Sequence, residues 1–204
     1  MYITIAAVIF FATLAMMVQQ GIWSNLITTM AIVLGGLAAF GLHQPLVIML
    51  DEQTDGSYTY LLDFPVLWLI FALVTGLIKE IAGRLSKNRV NFPDQIDNYG
   101  GAGVGVIGAY VMMAFAMATF HAAPLSYDAL SGNYEYGVTP AKAESKLSEA
   151  GTFSPGAAWL RLTESALSPE AFGNAGFSAK IFISQHGKHR KTFESLKTTA
   201  VKRR

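Results

Sequence analysis

The chain has 204 residues, of which 52% are hydrophobic and 14% are charged, and its formal net charge is +1. Average soluble chains contain about 25% charged residues, so this composition excludes an ordinary soluble globular protein. The sequence contains no cysteine, which excludes disulfide bonds and thiol chemistry.

Four stretches with few or no charged residues follow one another in the first part of the chain. They are residues 2–18, 22–42, 61–81 and 100–121. No Lys, Arg, Asp or Glu occurs between residues 1 and 50, and the turn at 19–21 divides that long run in two. A helix needs about 20 predominantly apolar residues to cross the hydrocarbon core of a bilayer. The sequence therefore predicts an all-α polytopic membrane protein with four transmembrane helices, the first of them a little short.

The basic residues in the short connections predict the orientation of these helices. Connection 79–97 contains four Lys or Arg residues, whereas connection 43–62 contains none and has three acidic residues. By the positive-inside rule, connection 79–97 is cytoplasmic, and four spans then place both termini outside. Residues 179–204 are also basic, but they lie far from the last span and carry less weight in this rule.

The sequence GAGVGVIG contains the Gly-x-Gly-x-x-Gly pattern of a dinucleotide-binding turn, at Gly103, Gly105 and Gly108. That chemistry requires a preceding strand and an acidic residue about 20 positions later. The preceding segment NFPDQIDNY is a poor buried strand, because it contains a proline and four Asp or Asn residues, which favour turns. No acidic residue follows until Asp128. We therefore expect no NAD, FAD or other cofactor.

Small residues instead recur at helical spacing in three of the four predicted spans, where they share one face of each helix. They are Ala31, Gly35 and Ala39 in the second span, Ala72 and Gly76 in the third, and Gly101, Gly105, Gly108 and Ala109 in the fourth. In lipid, helices associate through close van der Waals contact, which small residues permit. The spacing predicts helix-packing sites, with a groove lined by water or substrate as the alternative. We also expect Asp97 to cap the fourth helix.

Two stretches make the chain resemble the colicin V production protein family of bacterial inner-membrane proteins, in its planctomycete-type form. They are QGIWSNLITTMAIVLGGLAAFGLHQPL, residues 20–46, and VNFPDQIDNYGGAGVGVIGAY, residues 90–110. The family pattern is a turn ending in glycine before the second span, then an Asp or Asn turn that leads into a helix with glycine at every fourth position. The matching residues are Gly21, Asp97, Gly101 and Gly105.

The chain also departs from this family at two places. Many members have arginine where this chain has Gln20, and an Arg-Gly pair where it has Gly108 and Ala109. The resemblance covers about residues 1 to 122. It implies a four-span membrane protein connected with export of a peptide toxin or with envelope maintenance, and it implies no catalytic site.

The tail, residues 123–204, is predicted to be a separate extramembrane region that is partly helical or disordered. Helix starts are indicated where Pro140 and Pro155 each follow a hydroxyl residue. In the segment AAWLRL, the residues Trp159, Leu160 and Leu162 are expected either to lie on the membrane surface or to pack against the span ends. The sequence leaves these two alternatives open.

Few residues indicate chemistry. The ionisable residues near the predicted span ends are His43, Asp63, Glu80 and His121. We expect them to be interfacial polar residues rather than a proton relay. His186 and His189 are three apart, but two ligands fall short of the usual zinc count, so we expect a solvated or lipid-touching basic segment and no metal. Enzyme signatures such as Gly-x-Ser-x-Gly and His-Glu-x-x-His are missing from the sequence.

These observations predict a transmembrane domain at residues 1–122 and an extramembrane tail at 123–204. The expected partners are the lipid bilayer and either another membrane protein or a second copy of the chain, with no nucleic acid. The predicted role is non-catalytic support for assembly of an envelope or toxin-export complex in the bacterial inner membrane. A small transporter or channel subunit is the alternative.

Overall fold

The computed structural model describes residues 2–53, 59–85, 93–125, 139–150, 154–168, 170 and 176–202. Within these ranges the chain forms helices joined by turns, and no β-strand occurs among them. The helices are α1 Tyr2–Met17, α2 Ile22–Gln53, α3 Thr59–Leu85, α4 Asp94–Thr119, α5 Pro140–Glu149, α6 Pro155–Ala166 and α7 Ala179–Lys202. The all-α class predicted from the sequence is therefore confirmed.

Three of these helices contain segments long and apolar enough to cross a membrane: Ile22–Gln53, Leu61–Leu85 and Gln95–Thr119. Helix α1 is equally apolar, but it has only 16 residues. At 1.5 Å per residue it rises about 24 Å, less than the roughly 30 Å of the hydrocarbon core. Three membrane-capable helices are thus present, and the fourth span stays a prediction.

The first four helices run alternately up and down. Helix α2 packs along α3 and α4, and α1 packs along α4. The turn between α1 and α2 lies at the same end of the bundle as the start of α4, because the backbone N–H of Ile22 donates to the Asp97 carboxylate over 2.9 Å. The end of α4 and the start of α3 lie at the opposite end, where the indole N–H of Trp68 donates to the Thr119 hydroxyl over 3.1 Å.

The sequence predicts that Asp97 caps α4, and this prediction is wrong. Helix α4 begins at Asp94, and its N-cap residue Pro93 makes no side-chain hydrogen bond. Asp97 therefore lies at the end of the first turn of α4, and its carboxylate is directed to the N-terminus of α2 instead. The expectation failed because α4 starts at Asp94, six residues before the apolar stretch 100–121 that signalled it.

One aromatic core joins the membrane helices to the C-terminal helices. The Phe40 ring on α2 lies 6.0 Å from Phe115 on α4, 6.4 Å from Trp159 on α6 and 5.2 Å from Phe182 on α7, between centroids. Gly36 on α2 leaves the space that the Trp159 indole occupies. Helices α6 and α7 are thus built into the same core as α2 and α4.

The two alternatives for the α6 segment are resolved by burial. Trp159 and Leu160 are buried in the shared core, whereas Leu162 is 44% exposed. Gly156 brings the start of α6 against the α4 backbone, since a Cβ atom at this position would lie 3.3 Å from the carbonyl carbon of Met117. Trp159 and Leu160 therefore pack against the spans. The extramembrane placement of residues 123–204 stays a prediction.

Candidate functional site

The small residues predicted on α4 lie on its buried face. They are Gly101, Gly105, Gly108 and Ala109. A Cβ atom at Gly101 would lie 2.8 Å from the backbone oxygen of Gln20, and one at Gly105 would lie 3.4 Å from the Cβ of Met17. Gly103 is exposed and has open space around it. The glycine stripe therefore faces the end of α1 and the turn that leads into α2.

Asn25 is the polar centre of this contact. It is fully buried, and its Nδ2 donates to the backbone oxygens of Met17, Gln20 and Gly101 over 2.9, 3.1 and 2.8 Å. The last carbonyls of a helix have no partner within the helix, and in a membrane they must be satisfied by the protein. Asn25 meets this need at the end of α1 and ties α4 to the same point.

Asp97 provides the second polar contact of this junction. It accepts from Ile22 at the start of α2, where a carboxylate also complements the positive end of the helix dipole. A Cβ atom on Gly21 would collide with the Asp97 carboxylate, so a larger residue there would displace this side chain from Ile22. We call Gly21, Asn25, Asp97 and Gly101 the helix junction. From the sequence, Gly101 is predicted as a helix-packing residue and Asp97 as a cap of α4, whereas Gly21 is noted only as a match to the family pattern.

The small residues predicted on α2 lie between helices, whereas those on α3 do not. Ala31 and Ala39 are fully buried, and the Thr75 hydroxyl on α3 donates to the Ala31 carbonyl over 3.3 Å. Gly35 is buried beside Thr75.

On α3, by contrast, Ala72 and Gly76 are exposed, and no described atom lies within 4 Å of a Cβ built on Gly76. The buried face of α3 is formed by the larger side chains Leu67 and Phe71. Ala72 and Gly76 therefore face outward from the described bundle rather than toward a neighbouring helix of this chain.

A second polar cluster lies at the other end of the bundle, where all four histidines of the chain surround Asp63. His43 comes from α2, His121 follows α4, and His186 and His189 lie on α7. The Asp63 Oδ2 atom is 3.3 Å from His186 Nε2 and 3.6 Å from His189 Nδ1. We call these five residues, together with Arg190, the histidine cluster.

Most of the histidine cluster is buried. The side chains of Asp63 and His186 are 9% and 7% exposed, whereas that of His189 is 41% exposed. Arg190 is also buried, and its Nη2 donates to the His121 backbone oxygen over 3.0 Å. These polar side chains of α7 thus hold that helix against the start of α3 and the end of α4.

Two of these histidines have a defined tautomer. His186 Nδ1 lies 2.7 Å from the Phe182 backbone oxygen, and His43 Nδ1 lies 2.9 Å from that of Phe40. A carbonyl oxygen can only accept, so both Nδ1 atoms carry a hydrogen. In a neutral imidazole the other nitrogen, Nε2, is then a bare acceptor. His43 Nε2 is buried and has no hydrogen-bond partner among the described residues.

His121 lies just beyond the last residue of α4 and is buried. Burial holds the pKa of His121 well below its usual value, and the positive charge of Arg190 lowers it further, with a smaller contribution from His186. A small pocket of about 20 Å³ opens beside this histidine, with room for about one water molecule. Its walls are formed by Asp63, His121, Ala122, Ala123, Pro124, Leu125, His186, His189 and Arg190.

The sequence interpretation did not bring this cluster together. The expectation of a solvated or lipid-touching basic segment is wrong for His186 and Arg190, which are both buried. The missed signal is the helical spacing of Ala179, Phe182, His186 and Arg190, which places the two polar side chains on the buried face of α7. Among the described residues, no group of three His, Asp or Glu is placed to hold a metal ion.

The chain matches a model of a known protein family. The family model described as colicin V production protein matches residues 2–146, which run from α1 into α5 and make up more than half of the chain. No curated protein and no solved structure matches the chain.

Proposed function

The chain belongs to the colicin V production protein family, and from this premise we propose that it supports the assembly of an envelope or toxin-export system. In this role it is an integral protein of the bacterial inner membrane and carries out no catalysis itself. Its described helices provide a rigid, largely apolar body. Other membrane proteins, or a second copy of the chain, assemble on that body.

The observation that carries this proposal is the use of the small residues of α2 and α4 for internal packing. The stripe on α4 is filled by the end of α1 and by the turn into α2, and the stripe on α2 is filled by α3. A transport path needs polar groups along a wet groove, whereas these faces are closed by side chains and backbone. Closed faces favour a scaffold.

The outer surface of the bundle is suited to lipid. Large apolar side chains point outward along the membrane helices, among them Phe11, Leu73 and Leu77, which are 63%, 64% and 60% exposed. Water-soluble monomers rarely expose so many large apolar side chains along neighbouring helices. These faces are available to lipid and to partner helices.

For orientation, we propose that connection 79–97 is cytoplasmic and that both termini are outside, following the basic residues of that connection. The helix junction would then lie near the cytoplasmic face. The histidine cluster would lie near the outer face, together with the pocket beside His121.

A small transporter or channel subunit is the second candidate, and the buried Asp63 with its surrounding histidines is the observation that favours it. Ionisable residues in membrane helices are costly to bury and often mark ion or proton pathways. The pocket beside Asp63 is small, however, and the residues that line it lie at one end of the bundle rather than in its middle.

Purification from native membranes in mild detergent separates the two candidates. For a scaffold, we expect the tagged chain to copurify in a fixed ratio with a membrane protein of the envelope or of an export system, and an unrelated four-span protein with the same tag should not. The purified chain in liposomes should mediate no saturable flux of ions or small solutes.

The opposite result would favour transport. In that case the chain would purify without a partner and mediate a saturable flux, and Asp63→Asn would abolish this flux. Glu80→Gln is the matched control, because Glu80 is exposed on the same helix and pairs with Arg84 over 2.8 Å. The control variant should keep any flux that the wild type has.

A further inference from the structure

We propose that Asp63 and His186 form a buried proton-binding site, and that the bound proton holds α7 against the membrane helices. The ligand is a single proton shared by a carboxylate and an imidazole. This inference goes beyond the scaffold role, because it assigns a pH response to the contact between the C-terminal helix and the bundle.

The requirement for a proton follows from the hydrogen bonds of His186. Its Nδ1 lies 2.7 Å from the Phe182 backbone oxygen, which can only accept, so Nδ1 carries a hydrogen. In a neutral imidazole, Nε2 would then be a bare acceptor. This atom lies 3.3 Å from the Asp63 Oδ2 atom, which is an acceptor as well when Asp63 is ionised. Two facing acceptors repel, so a proton must lie on one of them.

Burial makes this proton consequential. With the side chains of Asp63 and His186 only 9% and 7% exposed, little water is available to separate the two acceptors. When the proton is present, the carboxylate and imidazolium form a pair without net charge. When it is lost, a buried carboxylate faces a lone pair, and the strain is relieved when α7 moves away or water enters. Proton binding therefore favours the docked position of α7.

Other ionisable groups face this pair from each neighbouring element. From α7, His189 Nδ1 lies 3.6 Å from the same Asp63 oxygen. From α2, the His43 ring lies 6.4 Å from the His186 ring, between centroids. His121 lines the pocket beside the pair. Arg190 donates to the His121 backbone oxygen, and this hydrogen bond does not depend on pH. Arg190 thus holds α7 whatever the pH, whereas the Asp63–His186 contact depends on the shared proton.

The docking of α7 can be followed directly, because Gln44 on α2 donates to Gln185 on α7 over 2.9 Å and both residues are exposed. The chain contains no cysteine, so cysteines placed at these two positions can carry nitroxide labels without background. In nanodiscs, electron paramagnetic resonance should give a single short label-to-label distance at about pH 5.5. Raising the pH to about 8.5 removes the shared proton, so most of this population should then be lost.

Asp63→Asn provides the decisive variant. Its amide can donate to the bare Nε2 of a neutral His186, so the contact no longer needs an extra proton. We expect the short distance at both pH values in this variant, which also demonstrates that it folds. Glu80→Gln, the same change at the other end of α3, should respond to pH as the wild type does.

Three outcomes would overturn the proposal. One is a wild-type distance that does not change with pH. Another is an Asp63→Asn variant that responds as the wild type does or that is undocked at both pH values. The third is a pH response that disappears with a chelator and returns with Zn²⁺, since the cluster would then be a metal site and not a proton site. None of these measurements depends on assembly with a partner, so they test this inference apart from the scaffold role.

Discussion

The Asp97 carboxylate, in the first turn of α4, accepts a hydrogen bond from the backbone N–H of Ile22, the first residue of α2, over 2.9 Å. An acidic side chain on one helix thus caps another helix that begins 75 residues earlier. Asn25 donates to the carbonyl of Met17, the last residue of α1, and to that of Gln20 in the turn, so these two side chains satisfy backbone groups at the ends of two helices. The helix junction therefore combines capping with tertiary packing.

The first prediction concerns this cap. Asp97→Ala should lower the free energy of unfolding by about 1 kcal/mol, the usual cost of losing an N-cap side chain. Asp97→Asn keeps an oxygen that can accept from Ile22 and should cost less. Thermal unfolding of both variants in the same detergent gives the comparison. Equal losses would mean that the charge of Asp97, and not its hydrogen bond, holds the junction.

The second prediction uses the polarity of Asn25, whose amide nitrogen faces three carbonyl oxygens. Asn25→Asp has almost the same shape but places a carboxylate oxygen against those acceptors. Asn25→Ala only removes the donor, at about 1 to 3 kcal/mol for buried groups left unpaired. We therefore expect Asn25→Asp to reduce the yield of folded, monodisperse protein more than Asn25→Ala does. A milder effect for Asn25→Asp would show that water reaches this site.

How much of this arrangement could be predicted depends on the range of the interaction. The lack of charge marks the membrane helices, because the bilayer acts on each segment separately. The helical spacing of Gly101 and Gly105 is likewise a local property, and it places both residues on one face of α4. Ala72 and Gly76 have the same spacing yet point outward, because spacing defines a shared face and not what that face meets.

The histidine cluster could not be predicted from the sequence, because it depends on contacts between distant segments. His43, Asp63, His121 and His186 come from four different segments of the chain, and nothing local to any one of them indicates the other three. Their meeting depends on α7 packing against Phe40, a contact over more than 140 positions. The burial of His186 could be predicted from the apolar face of α7. Its contact with Asp63 could not.

The third prediction tests orientation. A reporter that is active only in the cytoplasm should be active when fused after Lys87 and silent when fused after Asp55, because the four basic residues of connection 79–97 favour the cytoplasmic side. Both fusion points lie outside the described residues. A reporter that is active only outside should give the inverse pattern. The orientation is wrong if the two reporters exchange these results.

The fourth prediction concerns pH. Burial lowers the pKa of His121, so the folded protein favours the neutral imidazole while the unfolded chain binds a proton near pH 6.5. This contribution to stability is fully present above about pH 6.5 and is lost as the pH falls toward the lower, folded value. His121→Gln removes the titrating group but keeps the carbonyl that Arg190 binds.

The unfolding temperature of His121→Gln should therefore fall less than that of the wild type between about pH 7 and pH 5. Glu80→Gln, which changes an exposed group far from the cluster, should follow the wild type. The comparison is between variants at each pH, so the opposite response of the Asp63–His186 pair is present in all of them. A His121→Gln curve parallel to the wild-type curve would contradict the assignment.

The last prediction ranks the glycines of α4. A Cβ atom at Gly101 would lie 2.8 Å from the Gln20 oxygen and 3.2 Å from the Ile22 nitrogen, and both are backbone atoms that cannot rotate away. Gly101→Ala should therefore destabilise, by about 1 to 3 kcal/mol, as overpacking does. Gly103 is exposed with open space around it, so Gly103→Ala should stabilise by about 0.5 to 1 kcal/mol through helix propensity alone.

Gly105 lies between these two cases, and leucine distinguishes its face from that of Gly103. Alanine at 105 meets Met17 at an ordinary contact distance of 3.4 Å, so Gly105→Ala should be nearly neutral. Gly105→Leu must push α1 away from α4 and should damage folding, whereas Gly103→Leu extends into open space. Thermal aggregation and size-exclusion chromatography in mild detergent compare both leucine variants. Because the two positions differ only in the face they occupy, equal losses would mean that α4 does not pack on α1 through this stripe.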